Sequence, residues 1–211
     1  MKTKKIKIFR HWSAGPKRGK TEEWGEKDEY ASREDAIFEI QCFARERTWD
    51  MTHWEEIARE QLAAEGIVYH GEDLANDDSP EAEEYEEKLI RRMDEVFDAE
   101  IAEAGHWNDG DFDLSVEEVP LGTVYRIEPN GEKVVLCDEA EEKDACEIVF
   151  DDSPLFATVR YYIDEDGPTE GLKKYYVEVD NFGDEDKEEA ERLKALEWVW
   201  VENKKLEGGA Q

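Results

Sequence analysis

Ser79-Pro-Glu-Ala-Glu-Glu-Tyr85-Glu-Glu-Lys-Leu89-Ile-Arg-Arg-Met93-Asp-Glu-Val-Phe97-Asp-Ala-Glu-Ile101-Ala-Glu-Ala-Gly105 is the stretch on which the reading of this chain turns. Ser79 suits a helix N-cap, and Pro80 the first helical position, where its missing N–H removes nothing. Gly105 suits the left-handed residue that closes a helix. Between them Tyr85, Leu89, Met93, Val96, Phe97 and Ile101 recur at helical spacing and make one apolar stripe. The spacing predicts a helix over 80–104. Beyond Gly105 the pattern changes to that of strands.

Working towards the N-terminus, two more helices are expected. Ser32 with Asp35 opens one whose buried side is Ala36, Ile37, Ile40, Phe43 and Ala44. Thr52-x-x-Glu55 reads as a capping box for another, with Trp54, Ile57, Ala58 and Leu62 on its apolar side and Gly66 at its end. Lys5 to Trp12, rich in β-branched and aromatic residues, predicts a leading strand. Residues 13–30 show no period and read as a loop.

Working towards the C-terminus, Phe112–Val119 and Val124–Ile127 predict strands. Asn130-Gly131 predicts a type I′ hairpin turn into Val134–Cys137. Ile148–Phe150, Leu155–Ile163 and Tyr175–Val179 predict further strands, the last pairing back on the one before. Asp184 to about Lys205 predicts a terminal helix, although Trp198–Val201 also suits a strand. The expected class is α+β: an α-rich half with one leading strand over 1–105, then an antiparallel β-rich half with a terminal helix over 106–211. The two halves form either two small domains or one.

Composition narrows the function. The 211 residues hold 27 basic and 58 acidic side chains, a net charge of −31. Such a field repels nucleic acid and anionic membrane surfaces alike, so direct binding of either is not expected. Seven Trp, eight Tyr and eight Phe argue for a folded protein rather than an acidic tail. Cys42, Cys137 and Cys146 form no CxxC pair, which fits a reducing cytoplasm. No stretch is apolar enough for a signal peptide or a membrane span.

Motifs for chemistry are missing. His11, His53, His70 and His106 lie at no metal-binding spacing. Asp109-Gly-Asp-Phe-Asp113 begins like a calcium loop, but Leu114 stands where glycine is needed and Pro120 where glutamate is needed. Gly15 and Gly19 are too close for a phosphate loop, and no GxSxG or GxGxxG occurs. No enzyme, cofactor or metal is therefore expected.

The arrangement of charge is more informative. Residues 1–20 carry eight bases and no acid, which leaves −39 on the rest. The simplest expectation is that the basic start docks on the acidic body. Between Glu72 and Glu103 stand 14 acids and three bases, with further clusters at Asp138–Asp152 and Glu178–Glu191. On the helix from Pro80, Glu84, Glu87, Asp94, Glu95 and Asp98 fall away from the apolar stripe. A helix of that length is roughly 37 Å long. Its ten acids approach the one phosphate per roughly 3.4 Å of a single DNA strand. Like charges at these spacings destabilise a helix, so folding does not explain them.

In this the composition resembles the acidic, nucleic-acid-mimicking inhibitors that phages and mobile elements turn on CRISPR and restriction enzymes. The resemblance implies a basic nucleic-acid-binding protein as partner, in the host cytoplasm, contacted through Glu84, Glu87, Asp94, Glu95 and Asp98. A second candidate surface is Asp184, Glu185, Glu188 and Glu189. The alternatives are an immunity protein capping a basic nuclease toxin and a metal-dependent hydrolase built near Asp109–Asp113.

Overall fold

A computed structural model describes residues 1–71, 74–77, 79–153, 157–162, 171–179 and 187–208, with side chains except at 76, 157–162, 177–179, 189 and 207–208. Among them are six α-helices and eight strands, and the class is α+β. The chain divides into two compact units: Ile6–Glu117, and Met1–Lys5 with Glu118–Gln211. The division falls twelve residues beyond the boundary read from sequence, because one strand, β4 (Phe112–Ile127), contributes to both units.

The first unit contains β1 (Lys4–Trp12, from Ile6 on), β2 (Thr21–Trp24), α1 (Arg33–Arg47), α2 (Thr52–Ala64), α3 (Pro80–Ala104), β3 (His106–Asn108) and the start of β4. Strand order is β2-β1-β4-β3. Strand β2 was hidden in the aperiodic 13–30 stretch, since four residues are too few to show a period. Helix α1 is capped as expected, with Ser32 accepting from the Asp35 N–H at 3.1 Å. Helix α2 corrects the capping box. Thr52 is its first helical residue, and the Asp50 carboxylate two residues earlier accepts the Thr52 N–H at 3.0 Å. Glu55 pairs instead with Arg59 at 2.6 Å. At the other end the Gly66 and Ile67 N–H groups bond back to Ala63 and Leu62, a Schellman closure that needs the positive φ (80°) of Gly66.

Helix α3 has the predicted boundaries. Ser79 accepts from Ala82, Pro80 follows, and Gly105 closes the helix at φ 71°. Its stripe meets two cores. Tyr85 and Leu89 pack with Ala58 and Leu62 of α2, while Phe97 and Ile101 pack with Ile37, Ile40 and Trp107.

In the second unit the order is β5-β4-β8-β7-β6, antiparallel throughout, with β5 (Lys133–Glu141), β6 (Ala157–Tyr162), β7 (Leu172–Val179) and β8 (Glu197–Glu202). Strands β6 and β7 pair with each other, as read. Two expectations are corrected. Ile148–Phe150 lies in helix α4 (Ala145–Asp152), which buries Ala145 and Val149 at i, i+4 spacing. The 184–205 helix is interrupted: α5 is Lys187–Lys194, α6 is Asn203–Gly208, and Trp198–Val201 belongs to β8. Being central, β8 buries Trp198, Val199 and Trp200 in succession, so it shows no alternation.

The hairpin between β4 and β5 also differs. Gly131 N–H bonds to Glu128 O at 2.8 Å, and Glu128 N–H to Glu132 O at 2.9 Å. The turn is thus Glu128–Gly131 with Pro129 second, and only then comes Gly131 at φ 81°. Proline is preset for that second position, which displaces the two-residue Asn-Gly turn.

Candidate partner-binding surface

Five acids of α3 were expected to face outward. Glu84, Glu87 and Glu95 are exposed, and Asp94 and Asp98 are half-buried. They are not equally available. Lys88 lies 2.6 Å from Glu84 and holds its carboxyl below the ordinary range. Arg92 lies 3.0 Å from Glu95 and also grips Glu65 of the residues after α2 at 2.8 Å. Glu87 and Asp94 have no ion-pair partner among the described residues.

Asp98 is half-buried and turned to α1. One carboxylate oxygen pairs with Arg45 of α1, the other is buried without a hydrogen-bond partner, and its backbone oxygen accepts from Gln41 at 2.8 Å. Burial raises its carboxyl above the ordinary range, against the pull of Arg45. Sequence phase placed it off the apolar stripe, correctly, but the sequence has no signal for the arginine across from it. Elsewhere on α3, Glu86 is exposed, and Glu100 accepts the Trp54 indole N–H at 2.7 Å. Glu95, Glu100 and His53 together line a cleft of about 470 Å³ between α2 and α3.

Helix α3 ends without a basic residue in its last turn, although Glu100 and Glu103 stand near its negative end. That arrangement opposes the helix dipole. In the second candidate surface, Asp184 and Glu185 lie outside the described residues, as does the Glu189 side chain; Glu188 is exposed at the start of α5.

The basic start is engaged with the protein's own acids. Lys4 pairs with Glu118 at 2.5 Å, Lys5 with Glu141 at 3.5 Å, Lys7 with Glu23 at 3.0 Å and Lys17 with Glu22 at 3.0 Å. Arg10 lies over the rings of Phe112 (4.5 Å), Trp12 (5.3 Å) and Trp24 (5.6 Å), where burial lowers its pKa.

The Asp109–Asp113 turn is likewise occupied by the fold. One Asp109 oxygen accepts the N–H groups of Asp111 and Phe112, the other pairs with Arg47 at 2.9 Å, and Asp113 faces His106 at 3.2 Å. No group of three His, Cys, Asp or Glu suited to a metal occurs among the described residues, and no helix there is long and apolar enough to cross a membrane. No family model matches the chain, and no curated protein or solved structure matches it either.

Proposed function

We propose that this protein is an acidic nucleic-acid mimic, an inhibitor that enters the basic nucleic-acid channel of a host defence enzyme of CRISPR or restriction type and keeps DNA or RNA out. The observation that carries the reading is α3. It is a 25-residue capped helix whose exposed face holds Glu84, Glu87 and Glu95 with Asp94 at its edge. Its acids extend into a last turn where the helix dipole disfavours them. Retention of acids where the dipole disfavours them fits selection for a basic partner. The net charge of −31 would steer association, while apolar anchors supply specificity. The activity requires no catalysis and no cofactor.

The test has two steps. An enzyme captured from host lysate should lose binding of its own DNA or RNA target when the protein is added. Reversal of charge at Glu84, Glu87, Asp94 and Glu95 to lysine should then slow association and flatten its salt dependence, with the fold intact. An enzyme that still binds its target in the presence of the protein overturns the reading. So does a protein that itself shifts duplex DNA in a gel at physiological salt. Capture of a small nuclease blocked only at its active site would favour the immunity-protein alternative.

A further inference from the structure

The first unit carries a groove of about 740 Å³ between α1 and the turn that follows β2. One wall is a single face of α1: Asp35, Phe38, Glu39, Cys42 and Glu46 follow at helical spacing. The other wall is Trp24–Gly25–Glu26–Lys27. Gly25 sets how closely the walls approach. Its φ is 111°, and a Cβ there would stand 2.2 Å from the Tyr30 hydroxyl and 3.0 Å from Glu39 Oε1. The Glu26 N–H donates to that same Glu39 oxygen at 3.3 Å, which ties turn to helix.

Two properties of the groove point to one kind of occupant. Its lining contains five acids against the single base Lys27, and Glu26, Asp35 and Glu46 are exposed. It also contains aromatic surface: Phe38 is 63% exposed, and Trp24 and Phe43 meet edge to face at 4.8 Å. Carboxylates with aromatic faces suit a guanidinium, which is weakly hydrated, stacks on rings and bonds carboxylates through a planar fork; an ammonium does the last two poorly. The unit uses this chemistry internally, where Arg10 lies over Trp12, Trp24 and Phe112 with Glu22 at 3.9 Å.

We infer that this groove receives an arginine side chain of the protein's partner, which gives the interaction an anchor that a field of acids does not. The inference rests on the reading that the partner is a basic protein, and names a second contact besides α3. Phe38 is the platform, and Glu46 and Glu26 are the carboxylates that meet the fork.

The test uses the full chain, labelled for amide NMR, titrated at moderate salt with hexa-arginine and with hexa-lysine. The expected result is a set of shifts centred on Gly25, Glu26, Cys42 and Glu46. Hexa-arginine should bind about three- to fivefold tighter than hexa-lysine, the size of an exposed cation–π contact. Phe38→Ala combined with Glu46→Gln should erase that preference. Both side chains are exposed, and the preference and the shift map of the unaltered protein already test the inference should that variant misfold. Equal binding of the two peptides, or shifts confined to α3, would overturn the groove and leave the basic-partner reading standing. Spermine reproducing every hexa-arginine shift with equal affinity would make the groove a general cation site and overturn the arginine assignment. Absence of binding by either peptide even at low salt would remove both readings together.

Discussion

The acids of α3 and the acids between Asp138 and Asp152 look alike as runs of sequence, yet they are used in different ways. On α3, Glu84, Glu87 and Glu95 stand in solvent, Glu84 and Glu95 beside a base of the same helix and Glu87 beside none among the described residues. In the second run the fold engages Glu139, Glu141, Glu142 and Asp152, half of its eight acids. Glu141 is 3% exposed between Lys5 and Lys143, Glu142 meets Lys173, and Glu139 accepts the backbone N–H of Lys2. Asp152 accepts from Arg126 at 2.7 Å and from the buried Trp198 indole at 2.9 Å. Charge density along a chain therefore does not measure charge available to a partner. What decides is whether a base or another donor comes to lie opposite, and those donors are up to 137 residues away.

The sharpest way to break this comparison is to remove one acid from each run and measure stability by urea unfolding. Asp152→Ala leaves the Trp198 N–H without its acceptor and Arg126 without its closest carboxylate. It should cost about 2–3 kcal/mol, as expected for a charged acceptor withdrawn from a buried donor. Glu87→Ala should stay within about 0.5 kcal/mol. Equal losses would mean that α3 acids are structural too, and the proposed surface would lose its rationale.

The contrast also marks what was legible beforehand. Helix α3 could be read to the residue because its signals are local: Ser79, Pro80 and Gly105 cap it, and the stripe between is regular. The leading strand and the α1 cap were legible for the same reason. Strand β8 was left between helix and strand because its identity depends on β4 and β7, which pair with its two edges, and its successive buried residues show no alternation. Helix α4 was misread as strand because three apolar residues in a row suit either state. At the candidate site, sequence phase did not separate the acids cleanly, since Glu86 is exposed and Asp94 and Asp98 are half-buried, and it did not reveal that Arg45 claims Asp98 or that Lys88 tempers Glu84. The groove beside α1 had no signal at all, since half of its wall is a turn after a four-residue strand.

A second, smaller effect concerns salt. With −31 on the chain, self-repulsion among exposed acids should dominate at low ionic strength, and the melting temperature should rise as salt screens it. The ion pairs of Lys4 with Glu118 and Lys5 with Glu141 weaken under the same screening. Lys4→Gln with Lys5→Gln removes one base from each of two acids, Glu141 keeping Lys143, and should steepen the rise in thermal unfolding scans. A flat or falling melting temperature in the unaltered protein would show that internal pairing outweighs repulsion, and would place the α3 run in the same class as the second one.

The smallest effect isolates the one α3 acid that departs from its neighbours. Burial lifts the Asp98 carboxyl above its ordinary range, with Asp94 adding to the rise and Arg45 opposing it. A carboxyl raised in the folded state binds a proton there at a pH where the unfolded chain has released it. Its cost is absent at acid pH and grows as pH climbs from the ordinary carboxylate range through the raised value. Glu84 and Glu65 are held low by Lys88 and Arg92, so their contribution has the opposite sign and is lost on acidification. Those groups remain in an Asp98→Asn variant and cancel in the difference from the unaltered protein. The variant should therefore gain on the unaltered protein between about pH 3 and pH 7, by under about 1 kcal/mol for a half-buried pair. Glu84→Gln removes a carboxyl that Lys88 holds low, so that variant should lose ground on the unaltered protein as pH climbs. Profiles of the same sign for the two variants would mean that Asp98 is as open to a partner as Glu84, and would return it to the binding face.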